Sequence, residues 1–268
     1  MRVAVVQTDP KFGETDANLR EITSLAASAE ADLYVLPELC SSGYNFVSHD
    51  EAGALAEEIP GPTYDTIAGI AREQSCYIVY GFAERSTQTA GSTDRVFNSS
   101  ALVGPQGLVG LYRKVHLFAR EKLFFAPGDL GFPVFDLPIG RIGMMVCFDW
   151  FFPESARALA LKGAQLIAHP SNLVMPHCPD AMVTRCLENH LFTATANRIG
   201  TEDRGGVSLT YIGNSEIVSP RGTILSRLGG NEPGITVVDI DPAEADNKKI
   251  NPYNDLFEDR RVGEYGVK

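Results

Sequence analysis

Four residues of this chain have side chains and positions suited to covalent catalysis: Cys147, Glu38, Lys114 and Glu121. Cys147 closes an apolar run and stands before Phe148, Asp149, Trp150 and a segment that Pro153 starts as a helix. A thiol at such a strand-to-helix elbow is exposed, with backbone N–H groups directed at whatever it attacks. A cysteine at a strand end is, however, more often a buried small hydrophobe. Glu38 follows Pro37 directly after a buried strand, in Leu-Pro-Glu-Leu. Partial desolvation there would raise its pKa and suit it to proton transfer, although a solvated loop acid would read the same way. Lys114 ends a hairpin strand in Tyr-Arg-Lys-Val-His-Leu, where it could hold a developing oxyanion or simply protect a sheet edge. Glu121 lies in a stretch, 120–129, too irregular for helix or strand, which reads as a long loop rimming a site.

The elements that must position these groups come in echoes. A strand at 2–7, a helix at 17–29 and a buried strand at 32–36 form a βαβ unit, the building block of parallel or mixed sheets. The pattern returns as a strand at 141–147, a helix at 153–162 and a strand at 164–169, with Pro and Gly marking the helix ends. Two hairpins repeat as well, SALVGPQGL at 100–108 and SEIVSPRGT at 215–223, each with Pro second and Gly fourth in the turn. Echoes in the same order predict an α/β fold: a four-layer α-β-β-α sandwich of two mixed sheets with internal pseudo-two-fold duplication. Unrelated βαβ units also look alike, so coincidence stays open. If the halves superpose, Cys147 matches Thr8 and Glu38 matches Ser171, which puts both at the carboxyl ends of parallel strands where ligands gather. The whole of 1–268 reads as one domain, with a tail from about 250 to 268 whose Tyr253, Phe257 and Tyr265 suit packing on a neighbouring subunit.

Composition excludes several classes. A formal net charge of −11 opposes nucleic-acid binding, because phosphate backbones would be repelled. No segment has the roughly 18 apolar residues that a membrane helix requires, and the N-terminus carries no secretory pattern. The five cysteines, Cys40, Cys76, Cys147, Cys178 and Cys186, are scattered without a CxxC pair, so reduced thiols in the cytoplasm are expected. The histidines show no ligand spacing, which leaves no metal site and no cofactor in the expected chemistry. GxGxxG, Walker and GxSxG motifs are all missing.

Taken together, Leu-Pro-Glu at 36–38, Arg-Lys-Val-His-Leu at 113–117, Glu-Lys-Leu-Phe-Phe-Ala-Pro-Gly-Asp at 121–129 and Met-Val-Cys-Phe-Asp-Trp-Phe-Phe-Pro-Glu at 145–154 resemble the nitrilase superfamily of carbon–nitrogen hydrolases. The resemblance runs along the whole chain in family order and implies the four-layer sandwich. It implies that Cys147 attacks the substrate carbon, that Glu38 takes the thiol proton and later activates water, and that Lys114 holds the oxyanion together with the Phe148 N–H. It also implies that Glu121 positions the substrate, and that subunits pair through helices near 153–162 and 179–190. The Phe148-Asp149 form favours hydrolysis of a small linear amide or N-carbamoyl compound through a thioester, with ammonia or an amine released. A nitrilase acting on small aliphatic nitriles is the alternative, and a metabolite-binding module the non-enzymatic one. Phe148, Asn172 and Tyr44 are the expected substrate-binding residues, and a homodimer or higher homo-oligomer is the expected assembly. Iodoacetamide is expected to label Cys147 far faster than the other cysteines.

Overall fold

A computed structural model describes residues 1–86 and 95–266; of the expected tail, Val267 and Lys268 lie outside the described residues. The first sheet contains β1 (Arg2–Gln7), β2 (Leu33–Val35), β3 (Tyr77–Ser86), β4 (Arg95–Gly104) and β5 (Gly107–Arg113). The second contains β6 (Val134–Leu137), β7 (Gly140–Met144), β8 (Leu166–Pro170) and β9 (Phe192–Ala196). A small hairpin, β10 (Thr201–Arg204) and β11 (Val207–Thr210), intervenes before β12 (Glu216–Val218) and β13 (Ile224–Arg227) complete that sheet. β14 (Gly234–Asp239) then returns to pair antiparallel with β1. The spatial orders are β14-β1-β2-β3-β4-β5 and β13-β12-β9-β8-β7-β6.

The two sheets repeat one topology in one register. Val3 pairs with Leu33 in the first and Ile142 with Leu166 in the second, both parallel. The next strands add Tyr77 beside Leu33 and Phe192 beside Leu166. The strands of the echoes at 2–7 and 32–36, and at 141–147 and 164–169, thus pair equivalently, and the duplication is written into the strand order.

Period-2 alternation makes the layers. Val3 and Val5 point into the core between the sheets with Leu33, Val35, Ile142 and Met144. Ala4 and Val6 point the other way, under α1 (Thr15–Ala27) and α3 (Pro62–Gln74) with Leu19, Ile22, Ile67 and Ile70. α5 (Pro153–Leu161) and α6 (Cys178–Asn189) cover the second sheet through Leu159, Met182 and Cys186. The four layers are therefore helix, sheet, sheet, helix. Two short helices, α2 (His49–Leu55) and α4 (Glu121–Phe124), sit at the rim. α4 corrects the expectation of an irregular loop at 120–129: its single turn is too short to leave a periodic pattern in the sequence. Among the described residues no helix is long and apolar enough to cross a membrane.

Candidate active site

Local backbone rules bring two strand ends together. After β2 the chain turns at Pro37, and Leu39 takes a left-handed conformation at φ 49°. Gly81 of β3 permits this turn, since a Cβ there would lie 2.5 Å from the Glu38 Cα. The Glu38 carboxyl is fully buried. After β7 the chain turns at Cys147, whose φ of 43° is rare for a residue with a Cβ. Such strain costs on the order of 1–3 kcal/mol and persists only where the surroundings enforce it. Asp149 does so by accepting the Val146 N–H at 2.9 Å, the Tyr112 hydroxyl at 2.6 Å and the His116 N–H at 3.1 Å. His169 adds a second restraint, donating from Nε2 to the Cys147 carbonyl at 2.9 Å, with Nδ1 3.1 Å from the Thr195 hydroxyl. Burial pushes the His169 pKa down to about 4, which keeps the ring neutral.

Lys114 lies just past β5, and its N–H donates to the Asn98 carbonyl at 2.8 Å. The following loop folds back so closely that a Cβ at Gly128 would sit 2.0 Å from the Arg113 carbonyl oxygen, which accounts for glycine at this position. The loop carries Glu121 to the Lys114 ammonium. Nζ donates to Glu38 Oε1 at 2.6 Å and to Glu121 Oε1 at 2.7 Å, with all three side chains buried. Asn98 Nδ2 also donates to Glu38 Oε1 at 2.6 Å, while Glu38 Oε2 is buried without a partner. The Tyr44 hydroxyl donates to Glu121 Oε1, and the Phe118 N–H to its Oε2 at 3.1 Å.

Asn172 ties Cys147 to this cluster. Its Nδ2 donates to the Glu38 carbonyl at 2.9 Å, and its own carbonyl accepts from Cys147 Sγ at 3.8 Å. Burial raises the Glu38 pKa to about 7; the Lys114 charge opposes the rise and Glu121 adds to it. Burial, reinforced by Glu38, pushes the Cys147 thiol well up against the pull of Lys114. Burial works to discharge Lys114, but the carboxylates of Glu121 and Glu38 outweigh it and hold the ammonium protonated. The resting state is thus a neutral thiol beside a carboxyl poised near neutrality. Selective labelling of Cys147 therefore depends on Glu38 taking its proton and not on a standing thiolate. All five cysteines are free and buried.

Cys147 opens on a small cavity of about 240 Å³ with Phe118, Phe148, Trp150, Asn172 and Leu173 in its walls. The seven candidate site residues therefore lie at or beside one site: Glu38, Lys114, Glu121 and Cys147 at its centre, Phe148 and Asn172 around the cavity, and Tyr44 behind Glu121. The parts played by Asn98, Asp149 and His169 were not read from the sequence, in which Asp149 figured only through the Phe148-Asp149 form. A signal was available for Asn98, which opens a polar run, Asn98-Ser99-Ser100, at buried positions between the apolar ends of its strand. Among the described residues no group of three His, Cys, Asp or Glu side chains could hold a metal ion. The arrangement can deprotonate a thiol, hold an oxyanion against a fixed ammonium and return a proton.

Comparison with known proteins accords with this geometry. The family model for carbon-nitrogen hydrolases matches residues 2–249. A Pyrococcus abyssi protein described as a nitrilase is 49% identical, over 99% of each chain. An (R)-stereoselective amidase from a Pseudomonas species is 34% identical, over 98% of this chain and 92% of its own. Among solved structures, a mutant of the Nesterenkonia amidase with the acetamide moiety of fluoroacetamide added covalently at its active site cysteine superposes with a TM-score of 0.78. It is 29% identical and covers 98% of this chain and 95% of its own. A fold, a set of motifs and relatives that all agree along the full length lead to one conclusion: this chain belongs to the carbon–nitrogen hydrolase family, within the nitrilase superfamily.

Proposed function

We propose that the protein hydrolyses a small linear amide or N-carbamoyl compound through a thioester on Cys147. The observation that carries this reading is the buried Lys114 ammonium shared by Glu38 and Glu121, with Cys147 on a strained elbow beside it. Glu38, through its unpartnered Oε2, takes the thiol proton as the sulfur attacks the carbonyl carbon. The oxyanion is received by Lys114, two of whose three donors are already engaged, and by the Phe148 N–H, which has no intrahelical partner at the start of its turn. Collapse breaks the carbon–nitrogen bond, and the leaving nitrogen takes the proton from Glu38. Glu38 then deprotonates water, which attacks the thioester; the acid leaves and the thiol is restored. Glu121 and Tyr44 orient the substrate, and Asn172 fixes the distance between Glu38 and Cys147.

Ammonia release from matched amide, N-carbamoyl and nitrile substrates tests the proposal, with Cys147→Ala as the blank. Turnover of the nitrile alone would replace it with the second reading, a nitrilase, which the 49% identical relative favours. Release of nothing by any member of the series points to a binding module.

The whole of 1–268 acts as one domain, since β14 from the far end of the chain completes the first sheet. Apolar side chains left exposed on α5 and α6 (Leu161, Leu187) and in the tail (Ile250, Tyr253, Val262) support pairing with a second copy. Light scattering that gave a monomer mass would refute the pairing. Five unpaired thiols suit a reducing compartment such as the cytoplasm.

A further inference from the structure

The cavity at Cys147 has an apolar neighbour of about 400 Å³ between α4 and the β10–β11 hairpin. Tyr44, Phe118, Phe124 and Leu209 wall it, together with two opposite charges, Arg120 and Glu121. Phe118 belongs to both cavities, and Glu121 accepts from the Lys114 ammonium, so this second space abuts the reacting centre. The two charges differ in one respect. Glu121 has both oxygens engaged, by Lys114, Tyr44 and the Phe118 N–H. Arg120 is half-buried, with its guanidinium carbon 5.6 Å from the centroid of the Phe124 ring and Nη1 against Gly205 at the hairpin turn.

Among the described residues Arg120 donates no side-chain hydrogen bond and has no carboxylate within 4.0 Å. Nearby arginines are all matched: Arg113 with Glu84, Arg198 with Glu202 and Arg204 with Glu51. A half-buried guanidinium in the wall of an apolar, aromatic-lined space, with no counter-ion of its own, is available to take one from a ligand.

We infer that this cavity receives the far end of the substrate, and that Arg120 binds a carboxylate there. The preferred substrates are then short linear compounds with the scissile carbon–nitrogen group at one end and a carboxylate at the other. The inference rests on the hydrolase reading above. A cationic tail is disfavoured, because Arg120 repels it and the Glu121 charge is already shared with the Lys114 ammonium.

The test compares kcat/KM for the monoamides of four- and five-carbon dicarboxylic acids with chain-matched neutral alkyl amides and amino-terminated amides. A charge-assisted contact of about 1.5–3 kcal/mol predicts a preference for the anionic amide of roughly 10- to 100-fold or more. Arg120→Gln should collapse that ratio towards one, mainly through KM, and Arg120→Lys should restore part of it. The free dicarboxylates should inhibit the wild type competitively. Neutral amides cleaved as well as anionic ones, or a ratio unchanged in Arg120→Gln, would overturn the inference and leave the hydrolase reading intact. Ammonia from no substrate at all would sink that reading and the inference with it. If Arg120→Gln does not fold, the wild-type ratio and the dicarboxylate inhibition still decide the matter.

Discussion

The molecule buries two ion clusters at the ends of its duplicated strands, and they are built on opposite principles. Arg198 and Glu202, on the connection that leaves β9, are matched group for group. The guanidinium donates to Glu202, to the Pro10 carbonyl at 2.7 Å and to the Ile199 carbonyl at 3.2 Å, and it lies over the Tyr211 ring. Glu202 in turn accepts from the Tyr44 N–H, the Asn45 N–H and the Tyr211 hydroxyl. In the Lys114 cluster two carboxylates compete for one ammonium, and Glu38 keeps an oxygen without a partner. A satisfied buried pair holds the chain in place. An over-subscribed one keeps a proton in reserve, and that is the property expected of a site.

The sharpest way to break this contrast is Cys147→Ala, which should lower turnover by at least about 10⁴-fold, by analogy with removal of other covalent nucleophiles. An unchanged rate of ammonia release would refute the mechanism. Next comes Glu38→Gln, expected to cost ~10²–10⁴-fold. In the wild type kcat/KM should climb with pH through about 7 as Glu38 ionises, and labelling of Cys147 by iodoacetamide should follow the same curve. Both limbs should vanish in the variant; if they persist, another group is the base.

Arg198→Met should act the other way round. It leaves the Glu202 carboxylate buried and uncompensated, and should cost about 3–5 kcal/mol in urea unfolding while the folded fraction keeps its activity within about tenfold. Loss of activity without loss of stability would dissolve the distinction between the two clusters.

The smallest effect concerns Glu216, a second carboxyl that burial raises to about 7 despite its pairing with Arg227. The folded state retains a proton that the unfolded chain releases near pH 4.5. Its contribution is therefore fully present below that pH and is lost as pH rises through about 7, amounting to ~3 kcal/mol. Stability curves of Glu216→Gln measured across that window should be flatter than those of the wild type. An identical slope would show that Glu216 ionises normally.

The strands that carry the site were legible because their side chains alternate and their ends are punctuated. Pro37 lies just past β2 and Pro170 closes β8, and the register of Val3 with Leu33 recurs as Ile142 with Leu166. α4 was not legible, since one turn of helix has no period. The roles of Asn98, Asp149 and His169 were obscure for a different reason. Each matters for the backbone or carboxyl it touches, and none of those partners is a sequence neighbour with a fixed offset, apart from Val146 before Asp149.

By itself, then, the sequence determined the fold class and the repeat and singled out Cys147, Glu38, Lys114 and Glu121 as candidates, because periodicity and motif order are properties of the chain. The tertiary structure decided their ionisation. A Glu38 carboxyl that titrates about neutrality and a neutral thiol both depend on which groups are brought within a few ångströms after water has been excluded.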